Sequence, residues 1–124
     1  MRAKFIYEYL ELPGKSNEDI ISDLSKLSKK ELNKLLIDAA DDGLIYKVKL
    51  LINAGADINA KDINNISVLQ TAALYGFIDI VQELLNHGVD VNQTNSKKSS
   101  PLALAIWKGY KDIEKLLKKH GAKQ

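Results

Sequence analysis

Five columns of residues recur along this chain at a fixed interval of 33, with no insertions: Gly43, Gly76 and Gly109; Gly55, Gly88 and Gly121; Leu51, Leu84 and Leu117; Leu36, Leu69 and Leu102; Ala39, Ala72 and Ala105. A period of this length means a stack of similar units, none of which can bury its apolar face alone. Units in such a stack contact only their neighbours, so the end units must turn a polar side to water.

The middle unit shows what one repeat contains. Ser67 precedes the apolar run VLQTAALY and Gly76 follows it, as a hydroxyl N-cap and a glycine stop do around a helix. From Ile78 to His87, the residues Ile80, Val81, Leu84 and Leu85 fall on one side at helical spacing, and Gly88 ends the segment. The stretches ADINAKDINNIS and VDVNQTNSKKSS are polar and turn-rich, so both read as loops. The expected fold is all-α, with two short helices and a loop per unit.

The stretch GADINAKDINNISVLQTAALYGFIDIVQELLNHG resembles one ankyrin unit with the turn that precedes it. Ser67-Val68-Leu69-Gln70-Thr71-Ala72 and Ser100-Pro101-Leu102-Ala103-Leu104-Ala105 stand where that family carries Thr-Pro-Leu-His-x-Ala. GADIN at 55–59 and GVDVN at 88–92 match the family's loop. The resemblance covers residues 29–124 and implies an ankyrin-repeat solenoid of units at about 29–61, 62–94 and 95–124. It implies a non-enzymatic module that binds another protein as scaffold, adaptor or inhibitor. Two departures bear on rigidity. Gln70 and Ala103 replace the family's His, which predicts that its hydrogen bonds to the loop backbone are weakened or lost. Asn65 and Lys98 replace a loop glycine, and Asn adopts positive φ more readily than Lys, so the second loop is expected to be the less rigid.

The ends read as caps. Glu114 takes the place of Val81, and Lys118 that of Leu85. Lys111, Lys115, Lys118 and Lys119 share one helix face, with no aromatic or Arg residue between them. That pattern favours a solvated cap over a patch for nucleic acid or acidic lipid, which stands as the alternative. At the other end, Ser16-Asn17-Glu18-Asp19 and Ser28-Lys29-Lys30-Glu31 both have the form of a capping box. Between them Ile20, Ile21, Leu24 and Leu27 predict a capping helix over 17–27, so residues 1–28 are set apart as an N-terminal segment and cap. The second box opens the helix that carries Leu32, Leu35, Leu36, Ala39 and Ala40. Residues 1–15 are too apolar for a simple disordered tail, and two readings stay open: packing on the cap, or a recognition segment.

Little in the chain suggests chemistry. The absence of cysteine excludes disulfides, a thiolate nucleophile and a Cys-based zinc site, and it permits a reducing, cytoplasmic location. His87 and His120 share a repeat position, but helices stacked ~8–10 Å apart do not bring both to one ion at ~2.1 Å. A histidine at each helix C-terminus, where the helix dipole favours it, is the simpler reading. Asp41 and Asp42 are adjacent, so on a helix their side chains diverge by ~100° and share no proton. Gly14-Lys15-Ser16 lacks the preceding glycine and strand of a phosphate-binding loop. No catalytic, metal or cofactor site is predicted. No stretch approaches the ~18 apolar residues of a membrane span. A net charge of +2 does not by itself imply nucleic acid.

In the ankyrin family, partners commonly touch the loop tips and the exposed end of each unit's first helix. Carried over, those positions are Lys61, Ile63, Asn64 and Ile66 in the first loop, and Thr94, Ser96, Lys97 and Ser99 in the second. At the helix ends they are Asp41, Asp42, Leu74, Tyr75, Trp107 and Lys108. Because they recur at the repeat period, they are expected to face one groove of a monomeric chain. Its centre is expected at Trp107, Tyr75 and Leu74, since aromatic residues dominate binding hot spots and exposed apolar patches mark interaction sites.

Overall fold

The computed structural model describes residues 16–94 and 99–123; the expectations for residues 1–15 and for Ser96, Lys97 and Lys98 lie outside them. Among the described residues the chain is all-α. The helices are α1 (Asn17–Leu24), α2 (Lys29–Asp41), α3 (Ile45–Asn53), α4 (Val68–Tyr75), α5 (Ile78–Asn86), α6 (Pro101–Lys108) and α7 (Lys111–Lys119). They form two rows. In one, α4 packs between α2 and α6; in the other, α1, α3, α5 and α7 follow one another, and α2–α3, α4–α5 and α6–α7 join the rows in pairs.

The repeat columns are the core. Leu36, Leu69 and Leu102 are buried in the first row, Leu51, Leu84 and Leu117 in the second, with Ala39, Ala72 and Ala105 between them. Alanine at that column lets the rows approach closely. Ser28, Ser67 and Ser100 each accept a hydrogen bond from the backbone N–H three residues on, at 3.1, 3.0 and 3.1 Å. Ser28 and Ser67 complete reciprocal capping boxes with Glu31 and Gln70. Ser16 caps α1 through the Asp19 N–H alone, at 3.1 Å, so the expected box there is one-sided.

One feature of the N-terminal end differs from the sequence reading. The capping helix stops at Leu24 rather than Leu27, and it packs on α3, prolonging the second row. The Tyr46 hydroxyl on α3 meets the Asn17 side chain there. As the Ser28 box predicts, α2 starts at Lys29, well before its counterparts. Leu35 is the repeat equivalent of Val68, so Lys29 to Lys34 form extra helix where the next unit has loop.

Two kinds of joint hold the units in register. Tyr110 lies over Gly76 and Phe77 over Gly43, so closely that a Cβ on either glycine falls 2.8 Å from the ring. The second joint is an asparagine ladder. The Asp57, Asp90 and Lys123 N–H groups, each 33 residues apart, donate to the side-chain oxygens of Asn33, Asn59 and Asn92 at 2.8, 3.0 and 2.8 Å. Asn59 and Asn92 sit in loops; the extra turns of α2 supply Asn33 in place of a loop residue. Gln70 adds a third tie and corrects the expectation of a lost bond. Its Oε1 accepts from the Ser67 N–H at 2.8 Å, and its Nε2 donates to the Ser99 carbonyl at 2.6 Å, so the amide does reach the loop backbone. Ala103 has no such group.

Candidate partner-binding surface

The first inter-unit loop is a tight hairpin held by one carboxylate. Asp62 accepts from the Asn64 and Ile66 N–H groups at 2.8 and 3.0 Å, and its backbone pairs with Asn65 and Ile66. Asn65 takes the turn at φ 64°, which asparagine tolerates. The Lys61 ammonium reaches across to the Thr94 carbonyl at 3.4 Å and links the two loops. This leaves Ile63 at the tip with 101% relative exposure, beside the exposed Asn64.

A groove of about 680 Å³ runs between this hairpin and α2. The hairpin lends Lys61, Asp62 and Ile63; α2 lends Lys29, Lys30, Asn33, Lys34, Ile37, Asp38 and Asp41. The groove therefore unites Asp41, Lys61 and Ile63, three of the residues expected at a partner surface. Its other wall is the helix that the Ser28 box predicts, of which only Asp41 and Asp42 at its end were expected at a partner surface. A helix signal was present in the Ser28 capping box, and Ile37 and Asp38 follow on the same helix.

Charge is divided along the groove. Lys34 and Asp38 pair at 3.5 Å in the middle, and the Lys29 ammonium is held by the Gly55 carbonyl at 2.6 Å. Asp41 has no ion-pair partner among the described residues. Partial burial, followed by the nearby Asp38, Asp62 and Asp42 carboxylates, pushes its carboxyl above the usual range against the opposing pull of Lys34. The field at that end of the groove is thus net negative.

The other expected residues divide into two groups. Trp107 is 74% exposed and Tyr75 53% exposed, and neither lines the groove. The Lys108 ammonium sits 5.5 Å from the Trp107 ring centroid, and the Tyr75 ring lies 5.9 Å from that of Phe77. Leu74 and Ile66 are half-buried rather than exposed. Leu74 is on a helix flanked by α6, whereas its counterpart Trp107 has no helix beyond it among the described residues. Ile66 is drawn back into the hairpin through its bond to Asp62. Asp42 is exposed just past α2, and the Ser99 carbonyl is taken by Gln70.

The lysine face of α7 is paired only in part, with four lysines on the helix against Asp112 and Glu114. Glu114 pairs with Lys118 at 2.9 Å and with Lys111 at 4.0 Å. The Lys118 hydrogen bond, with the positive field of Lys118, Lys111 and Lys115, holds the Glu114 carboxyl below its usual range. Both histidines make local contacts: His87 with Glu83 at 3.0 Å, and His120 with the Leu116 carbonyl at 3.0 Å. The described residues hold no group of three metal-ligating side chains, and no helix among them is long and apolar enough to cross a membrane. The arrangement suits recognition: an apolar tip, a divided set of charges, and two exposed rings on the units beside it.

A family model of ankyrin repeats, in three copies, matches residues 36–124 of the chain. A search of curated proteins returns no match.

Proposed function

The chain belongs to the ankyrin-repeat family, and from that premise we propose that it is a non-catalytic module that binds a protein through Ile63, Tyr75 and Trp107. Ankyrin repeats are in general protein–protein interaction modules and typically non-enzymatic. The observation that carries the reading is the exposure of Ile63 and Trp107. The Asp41 counterpart of Trp107 shows that the position does not need an apolar side chain for folding. Exposing an indole and an isoleucine costs solubility unless a partner covers them.

The test is site-specific photocrosslinking in extract from the source organism. A crosslinking amino acid is placed at 63, 75, 107 or, as control, 115 in otherwise intact chains. The reading expects the same partner band from 63, 75 and 107 and none from 115. A band from 115 alone would replace this surface with the lysine face of α7. Trp107→Ala should then weaken binding to the recovered partner by ~2 kcal/mol or more, with a stability change within ~0.5 kcal/mol.

A further inference from the structure

We propose that the open end of α6 is a docking site for a protein segment that carries an aromatic side chain next to a carboxylate. The ring seats over Gly109 beside Trp107, and the carboxylate lies toward Lys108 and Lys111. The proposal rests on the protein-binding reading above and names what the partner presents at Trp107.

The period shows what this end lacks. Gln70, Thr71 and Ala73 on α4 are buried, and Leu74 and Gly76 are half-buried, with α6 alongside. Their counterparts Ala103, Leu104, Ile106, Trp107 and Gly109 are each more exposed, and no helix follows α6 among the described residues. The two rows end differently. α7 sets Glu114 and Lys118 where α5 has the buried Val81 and Leu85, as a cap requires. α6 sets Leu104, Ile106 and Trp107 where α4 has Thr71, Ala73 and Leu74. The side chains there grow larger and apolar at the place where a cap turns polar.

The chain shows twice what fills such a place. Phe77 lies over Gly43 and Tyr110 over Gly76, each ring supplied by the following unit. Gly109 has the same left-handed φ as Gly76, 79°, yet beyond its chain neighbours nothing lies within 4 Å of where a Cβ would stand. The seat for a ring is therefore formed and empty. At the inner joints the second residue after the glycine is Ile45 or Ile78, and Ile78 lines a cavity of about 310 Å³ together with Gly76 and Tyr110. At the open joint that residue is Lys111. A ring over Gly109 thus has a lysine where the inner rings have isoleucine.

Charge then chooses the neighbour of the ring. From residue 101 to residue 123, six lysines stand against Asp112 and Glu114. Lys111 and Lys118 share Glu114, at 4.0 and 2.9 Å. Lys108, Lys115, Lys119 and Lys123 have no ion-pair partner among the described residues. The Lys108 ammonium, 5.5 Å from the Trp107 ring centroid, keeps its charge beside the seat. This net positive end attracts a carboxylate and repels a cation. Nucleic acid answers to lysines and an indole as well. The glycine seat answers to a protein side chain, as Phe77 and Tyr110 show.

The experiment is selection from a displayed library of random peptides on the full chain. The enriched peptides are then measured on the parent and on Trp107→Ala, Gly109→Asn, Lys111→Glu and Lys115→Glu, each checked for parental melting. Asparagine tolerates the left-handed backbone while placing a side chain in the ring's seat. Lys111→Glu leaves that backbone alone and tests the site even if Gly109→Asn melts early. The proposal expects enriched peptides that pair Phe, Tyr or Trp with Asp or Glu. Trp107→Ala, Gly109→Asn and Lys111→Glu should each weaken them about tenfold or more. Lys115→Glu makes the same change in net charge and should weaken them less than about threefold. Rings paired with Lys or Arg, or equal losses on Lys111→Glu and Lys115→Glu, overturn the proposal. A single-stranded oligonucleotide that outbinds the peptides, and weakens on Trp107→Ala and Lys115→Glu alike, overturns it in favour of nucleic acid. Peptides indifferent to all the end variants, or no enrichment over the bare support, remove the α6 end as a peptide site. The crosslinks at 63 and 75 then judge the wider reading separately.

Discussion

The α2–hairpin groove and the α7 cap are built from the same side chains, lysines and carboxylates, yet they use them in opposite ways. On α7 the charges alternate along one helix face, so Glu114 finds Lys111 three residues before it and Lys118 four residues after. Such pairs satisfy Glu114 locally, while four lysines against Asp112 and Glu114 leave the helix net positive. In the groove the carboxylates gather at the C-terminal end of α2 beside the hairpin. The result appears as opposite shifts on two acids: Glu114 is held down by its lysines, and Asp41 is pushed up by burial and by other carboxylates. The cap closes a surface that would otherwise be apolar, as the end of a repeat stack requires. The groove instead sets Asp41 among other carboxylates rather than between lysines.

The largest effects test whether the two regions share one core. Leu36 is on α2 and Leu117 on α7, both fully buried. Leu36→Ala and Leu117→Ala should each cost ~2–5 kcal/mol and move a single urea-induced transition. Two separate transitions would show that the ends unfold independently and that the comparison joins unrelated structures.

A mid-sized effect separates an internal joint from an end. Gly76 and Gly109 share a φ of 79°, but only Gly76 has a ring against it, Tyr110 at 2.8 Å. Gly109→Ala should cost ~1–2 kcal/mol for the left-handed backbone. Gly76→Ala should cost ~1–3 kcal/mol more for the displaced ring. Equal losses in denaturant melts would mean that the ring contributes nothing to holding the units together.

The smallest effect is the sharpest in sign. The raised Asp41 carboxyl means that the folded chain holds its proton more tightly than the unfolded chain, so ionised Asp41 disfavours folding. Asp41→Asn should therefore raise stability at neutral pH, by under ~0.5 kcal/mol. The gain should shrink as the pH falls and Asp41 is protonated in the parent. Glu114 runs the other way: its lowered carboxyl stabilises the fold above the ordinary glutamate range and loses that contribution as acid protonates it. Glu114→Gln should lower the melting temperature at neutral pH and match the parent in acid. Shifts of the same sign in both variants would contradict the contrast drawn above.

The sequence was most legible where a residue's role depends on its position in the period. The leucine and alanine columns, the serine caps at Ser67 and Ser100, and Asn65 at positive φ all follow from counting by 33. It was least legible where one unit departs from the others. Ile37 and Asp38 stand in register with the buried Gln70 and Thr71, so the period gave no sign that they face a hairpin distant in sequence. Gln70 was misread for a related reason. Its amide is shorter of ring but comparable in reach to the imidazole it replaces, and only the position of the Ser99 carbonyl reveals that both ends of the amide are used. Leu74 and Trp107 share a register position, yet their exposure depends on whether another helix lies alongside, which no single-position rule carries.

The asparagine ladder gives this chain three built-in reporters. The amide protons of Asp57, Asp90 and Lys123 belong to exposed residues of irregular backbone, where exchange with solvent deuterium is ordinarily fast. Each is instead clasped by an asparagine from the preceding part of the stack. Exchange at Asp90 and Lys123 clocks the parting of adjacent units, whereas Asp57, held by Asn33 of its own unit, reports the parting of the added turns of α2 from the loop after α3. Set side by side, the three rates show whether the first unit opens within itself before either seam between units gives way.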